Sequence, residues 1–316
     1  MDSRKVSIIG AGVVGSNIAY SLMLKNIADE IALIDVNEKL VYSEILDIKH
    51  GLGVLGETKI HMGSYDDIKD SNLIIITAGR NRKPHETRLD VLADNINIAK
   101  NIAENIKRCY KQGIVIVVSN PVDVITYQIY KVLELKRNLI FGTGCILDTS
   151  RFVFSIADYL NVGIKDVNGL VIGEHGDSQV CVWSQVYIKG MHIDEYCKLH
   201  NIKFNNEDKL IIEKNVVNMG VEIIANKGKT HYGISTCTAH IADAVLNNKS
   251  IEASVSTCLN GEYGLKDVSL SLPVVINKDG IKEFLHYNLS DEERIKLQIS
   301  NDKITKYNSE YVKGVL

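Results

Sequence analysis

Apolar positions in the first half of the chain fall into short runs, and the segments between them have helical period. Residues 6–9, 31–34, 59–62, 73–77 and 114–119 read as strands, and residues 13–26, 38–50 and 89–110 as helices. The run at 73–77 is Leu, Ile, Ile, Ile, Thr, the pattern of a strand covered on both faces and hence of a parallel sheet. Strand and helix alternate through Gly142, which predicts a doubly wound α/β fold. From Asp148 onward the pattern changes. Helices are expected at 149–160, 207–227, 238–246 and 291–311, with an apolar run at 167–172 and short strands within 252–258 and 268–276. The expected organisation is therefore a nucleotide-binding unit over 1–145 and a mixed α/β unit over 146–316, with little slack between them.

The turn after the first run carries Gly10, Gly12 and Gly15 in G-x-G-x-x-G spacing, with Val13 and Val14 opening the helix. The first glycine allows a sharp turn, the second lets backbone approach a pyrophosphate, and the third lets helix pack on strand. Asp35 ends the next strand twenty residues after Gly15, where a carboxylate can accept from a ribose 2′-hydroxyl and repel a 2′-phosphate. The expected cofactor is NAD rather than NADP. Ligands of such sheets lie beyond the carboxyl ends of the strands, which adds Thr77, Ala78, Gly79, Ser119 and Asn120 to the candidate cofactor residues.

A net charge of −3 with 24% charged residues gives no basic excess for nucleic acid. Residues 6–24 are apolar enough to resemble a membrane span or a leader peptide, but the glycines, Ser16, Asn17 and Ser21 fit the turn and helix better. The expectation is a cytoplasmic protein without membrane contact. Six cysteines are scattered without C-x-x-C or histidine spacing, so reduced thiols are expected and no metal site.

The candidate chemistry lies in the second half. His175 sits at a strand end in Gly-Glu-His-Gly-Asp and titrates near neutrality, which suits a proton donor and acceptor. Asp148 and Arg151 are three apart at a helix start and share a face. Asp148 is expected to hold the His175 imidazole in one tautomer, and Arg151 to take a substrate carboxylate in a two-pronged pair. The bland alternative is a surface ion pair of little consequence. Residues 80–88 form a cationic stretch after a central strand. It is read as a segment closing over substrate, with Arg88 against the reacting carbonyl, or as a solvated loop. Asn120 could donate to the same oxygen or simply belong to a turn.

Taken in order, GAGVVG, LIDVN, TAG with RKPHETRLD, SNPVD, GTGCILDTSR and GEHGDSQVCVWS resemble the lactate and malate dehydrogenase family from Lys5 to the last helix. The resemblance implies a Rossmann domain plus a mixed α/β substrate domain, assembled as homodimers or homotetramers. It implies an NAD-dependent oxidoreductase acting on a small 2-hydroxy or 2-keto acid. His175, Asp148 and Arg88 would be catalytic, and Arg82, Arg88, Asn120, Arg151 and Thr230 would contact substrate. Arg82 departs from the lactate pattern, in which glutamine is usual, and matches malate members, where arginine meets a second carboxylate. The loop wording, the VWS after GEHGDS and Thr230 pull the other way. The implied substrate is pyruvate, with oxaloacetate second. His85 stands where relatives often have glycine. Val153 and Asn168 stand where effector-activated relatives carry a basic residue and a histidine, so no strong activation by fructose 1,6-bisphosphate is expected. A non-catalytic NAD-binding redox sensor is the competing class, and it would be favoured had His175, Asp148, Arg88 or Arg151 been replaced.

Overall fold

Each short apolar run of the first half is a strand in the computed structural model, which describes residues 3–80 and 88–312, leaving aside the side chains of 88–90 and 311–312. In order come β1 (Lys5–Ile9), α1 (Val13–Leu24), β2 (Glu30–Ile34), α2 (Glu38–His50), α3 (Leu52–Leu55), β3 (Lys59–Met62), β4 (Leu73–Ile76), α4 (Arg88–Cys109), β5 (Ile114–Val117), α5 (Val122–Leu133) and β6 (Ile140–Gly142). These strands lie in the order β3-β2-β1-β4-β5-β6, all parallel. Every residue of β4 and β5 is buried, which is why their sequences do not alternate. The order reverses between β1 and β4, so the loops leaving those two strands diverge and open a crevice at their carboxyl ends.

The second half begins with α6 (Ile146–Leu160), β7 (Val167–Asn168), β8 (Val171–Ile172), β9 (Val180–Cys181), β10 (Tyr187–Ile188) and β11 (Met191–His192). Then follow α7 (Ile193–Leu199), α8 (Asn206–Lys227), α9 (Tyr232–Leu246), β12 (Ile251–Asn260), β13 (Lys266–Asn277), β14 (Gly280–Phe284) and α10 (Asp291–Val312). The apolar run at 167–172 is split between β7 and β8, which join different small sheets.

The strands expected to be short are long. β12 has 10 residues and β13 has 12, and with β14 they continue the parallel sheet antiparallel beyond β6 to make nine strands. The join is narrow, with Ser256 of β12 opposite Gly142 of β6. Their length was masked in sequence because Ser254, Ser256, Thr257, Ser269 and Ser271 are buried among the apolar residues and dilute the apolar signal. Helix α9 begins six residues before the expected 238. Gly233, Ser235 and Thr236 are poor helix formers, and tertiary contact overrides them. A Cβ on Gly233 would lie 2.9 Å from Leu147 Cδ1, so this glycine lets α9 approach α6 closely.

Candidate active site

The turn after β1 is built by exclusion. Gly10 has φ +112°, and a Cβ there would meet Thr77 Oγ1 at 2.5 Å and Ala78 N at 2.6 Å. A Cβ on Gly15 would lie 1.8 Å from the Gly10 carbonyl oxygen, so only glycine lets α1 sit this close to the turn. A Cβ on Gly12, by contrast, would have no protein atom within 4 Å, which leaves the backbone there open to an approaching group. Helix α1 carries no side-chain cap and no acidic residue in its first turn, so the N–H groups of Val13, Val14 and Gly15 remain available to an anion. Asp35 ends β2 and is anchored by two backbone donors: Ala11 N–H at 2.8 Å and Asn37 N–H at 2.9 Å. An uncapped helix end, a turn without side chains and a fixed carboxylate one strand away together fit a dinucleotide with free ribose hydroxyls.

Thr77 and Ser119 turn their hydroxyls to the chain. Thr77 Oγ1 donates to Gly10 O at 2.9 Å, and Ser119 Oγ donates to Ala78 O at 2.6 Å. They brace the loops after β1, β4 and β5, while the adjacent Gly79 is exposed. Asn95 of α4, absent from the sequence reading, ties the same loops together. Its Oδ1 accepts from Arg80 N–H at 2.8 Å, and its Nδ2 donates to Arg80 O at 3.2 Å and Asn120 O at 3.1 Å.

Beyond this crevice His175, Asp148 and Arg151 come together. Asp148 lies in the first turn of α6 with its side chain 3% exposed; its Oδ2 meets His175 Nδ1 at 2.5 Å and its Oδ1 accepts from an Arg151 guanidinium nitrogen at 2.9 Å. Burial of this kind rules out the solvated ion pair. Burial pulls the His175 pKa down, but the Asp148 charge and hydrogen bond outweigh it and leave it above the ordinary value. Burial likewise raises Asp148, and His175 and Arg151 more than compensate, holding it below the usual carboxylate range. With Nδ1 on Asp148, the ring presents Nε2 to any substrate. Such a set can pass a proton at Nε2 and bind a carboxylate at the remaining guanidinium N–H groups.

The Gly-Glu-His-Gly-Asp segment is folded back on itself. Glu174 is buried, and its Oε2 accepts from Ser178 N–H at 3.2 Å, Ser178 Oγ at 2.5 Å and Lys303 Nζ of α10 at 2.7 Å. A Cβ on Gly176 would lie 2.8 Å from Glu174 Oε1, so this glycine makes room for Glu174. Gly220 of α8 is a further residue the sequence did not mark: a Cβ there would stand 3.4 Å from an Arg151 terminal nitrogen.

Asn120 is exposed at the end of β5, and its Oδ1 accepts from Val122 N–H at 3.2 Å. Thr230 is half-buried between α8 and α9. No hydrogen bond joins either side chain to the Asp148 group among the described residues. Arg82 and His85 lie outside the described residues, and Arg88 is described only as the first residue of α4. All six cysteines are free thiols. Cys237 of α9 feels the site electrostatically, its thiol pushed up to about 11 by burial and by the Asp148 charge. A cleft of about 560 Å³ lies elsewhere, bordered by Trp183, Asp194, Lys209, Glu213 and Lys296, and contains none of the candidate catalytic, substrate or cofactor residues. Among the described residues no helix is long and apolar enough to cross a membrane.

Residues 4–142 match the model of the lactate/malate dehydrogenase NAD binding domain, and residues 145–313 that of the family's alpha/beta C-terminal domain. An L-lactate dehydrogenase of Acetivibrio thermocellus is 40% identical over 291 residues, covering 92% of each chain. A crystal structure of a lactate dehydrogenase from a Medee basin deep-sea metagenome superposes with a TM-score of 0.94 at 33% identity, covering 99% of this chain and 100% of that one. The minor L-lactate dehydrogenase of Enterococcus mundtii, in its ligand-bound form, gives a TM-score of 0.93 at 36% identity, covering 100% of this chain and 99% of that one. With both halves of the chain matched, the chain belongs to the lactate/malate dehydrogenase family.

Proposed function

We propose that the chain is an NAD-dependent L-lactate dehydrogenase that reduces pyruvate to L-lactate, with His175, Asp148, Arg151 and Arg88 as its working residues. The observation that carries the reading is the buried Asp148 carboxylate, which holds the imidazole of His175 with one oxygen and the guanidinium of Arg151 with the other. Arg151 grips the substrate carboxylate through its remaining N–H groups, while the bond to Asp148 fixes the plane of the guanidinium. The reduced nicotinamide, when bound, supplies the hydride that adds to the keto carbon. As the carbonyl π pair moves onto oxygen, His175 releases its Nε2 proton to that oxygen and is left neutral on Asp148. Asp148 favours the protonated ring, its charge and hydrogen bond raising the His175 pKa against the pull of burial. Arg88 polarises the carbonyl, and Asn120 and Thr230 border the substrate. Gly10, Gly12, Val13, Val14, Gly15, Asp35 and the 77–79 and 119–120 backbones hold the dinucleotide.

The relatives carrying the name L-lactate dehydrogenase support pyruvate over oxaloacetate. An arginine at 82 closing over the methyl of pyruvate would leave a charge unpaired, which costs several kcal/mol when fully desolvated, so the reading requires Arg82 to keep its solvent. The test is the ratio of kcat/KM for pyruvate and oxaloacetate in the wild type and in Arg82→Gln. Pyruvate is expected to lead in both, by a wider margin in the variant. A wild-type preference for oxaloacetate would overturn the substrate assignment.

We further infer a division near residue 145 into a cofactor unit and a substrate unit, self-association as a homodimer or homotetramer, and a cytoplasmic location. Self-association is supported by α8, a 22-residue helix in which only Ile212 and Val216 are buried while Leu210, Ile211, Val221, Ile223 and Ile224 are exposed. Sedimentation equilibrium gives the subunit number directly.

A further inference from the structure

The proton-donor reading leaves one buried acid beside His175 without a part to play. Asp123 is in the first turn of α5 and only 2% exposed. Its Oδ2 accepts the backbone N–H of His175 at 2.8 Å, and its Oδ1 accepts the hydroxyl of Ser256 on β12 at 2.5 Å. Ser256 Oγ is in turn 3.0 Å from Ser269 Oγ on β13. One carboxyl group thus joins the helix after β5, the histidine segment and the β12–β13 pair, with a donor on each oxygen.

We propose that Asp123 is a positioning residue, fixing the backbone at His175 and adding a second negative charge to the one that Asp148 supplies. The inference rests on the reading of His175 as the proton donor. Asp148 reaches the ring through Nδ1, whereas Asp123 reaches the same residue through the main chain, so the residue is held at both its ring and its backbone. Among the described residues, the charged and titratable groups around the pair are Asp148 and Arg151 from α6, the Cys145 thiol just before it, Glu174 from the same segment with its partner Lys303 and Tyr307 from α10, and the Cys237 thiol from α9. β12 and β13 contribute the neutral Ser256 and Ser269. Arg151 opposes a proton on His175, and Asp123 and Asp148 favour it. Burial pushes Asp123 up to about 7, against the pull of its bonds to Ser256 and His175. Its charge is therefore sensitive to the loss of either donor.

The test is the imidazole titration of His175, read by NMR on the full chain without substrate and assigned by the signal lost in His175→Asn. In Asp123→Asn, which keeps an acceptor for the His175 N–H and removes the charge, the His175 midpoint is expected to fall by about half a pH unit or more. The high-pH decline of pyruvate kcat/KM is expected to move down with it. Ser256→Ala, which leaves the carboxylate but removes a donor, should shift the midpoint the same way by less, and it decides the matter if Asp123→Asn does not fold. A midpoint that stays at its wild-type value in whichever variants fold overturns the proposal. Failure of the wild type to reduce pyruvate would overturn the proposed reaction, and the titration would still decide the role of Asp123.

Discussion

Asp148 is the residue on which the site turns, because its two oxygens serve two different cations. On the proposed roles reduction needs the imidazolium, and the His175 pKa is raised, so activity should persist above the pH at which a free histidine would have lost its proton, then fall as pH rises through the raised value. Asp148→Asn removes the charge that raises it. That fall should move to lower pH, and turnover should drop by roughly 10²–10⁴-fold with NADH binding retained. A variant whose pH–rate profile overlays the wild type would contradict the assignment. Gly220 acts on the same group from the other side. Gly220→Ala adds a Cβ at tolerable distance and should stabilise α8 by up to about 1 kcal/mol. Gly220→Val has no such room beside Arg151, so KM for pyruvate should rise while the His175 titration stays where it was. Asp148, Arg151 and His175 were legible in sequence because a helix start and a glycine-framed motif display them locally. Asp123, Asn95, Gly220 and Lys303 were not, because each acts on a partner brought near by the fold; Lys303 reaches Glu174 across 129 residues.

Helix α10 is the element whose role the sequence hid most completely, since it reads as a polar amphipathic end to the chain. In the fold it clamps the histidine segment. Lys303 pairs with Glu174, their side chains 24% and 5% exposed, and Ser300 Oγ accepts from Glu174 N–H at 2.8 Å. Lys303→Met leaves Glu174 with its Ser178 donors but no countercharge, and the cost should be about 3 kcal/mol in urea unfolding. Glu174→Gln added to that variant should recover most of the loss, because the amide needs no cation. A double variant no more stable than the single would place the loss in the helix itself. Elements of the first half were legible because both faces of β4 and β5 are apolar and the period is unmistakable. β12 and β13 were only partly so, because buried serines and threonines pair with one another inside the sheet and sequence pattern counts them as polar.

At the scale of the molecule, the nine-stranded sheet makes the two halves of the chain one mechanical body. On one face of the sheet Val6, Ile8, Ile18 and Leu33 of the first half share a core with Ala239, Val255 and Val274 of the second. On the other, Ile74, Ile76 and Val117 pack in a core with Leu270, Leu297 and Ile304. Neither half can unfold without exposing apolar surface on the other, so melting should be cooperative despite the proposed division near residue 145. The sequence supplies a probe for this, because the chain has one tryptophan. Trp183 lies in the second half, edge-on to Phe152 at 4.8 Å and donating its ring N–H to Glu213 at 2.9 Å. Its fluorescence reports that half, whereas far-ultraviolet circular dichroism reports the whole chain. The two denaturation curves should coincide, and NADH, which on this reading binds the first half, should move both midpoints upward together. Trp183 fluorescence that changed at its own midpoint and ignored NADH would mean that the β6–β12 join is a contact between independent bodies, and that the alignment of His175 with the crevice depends on something other than the shared sheet.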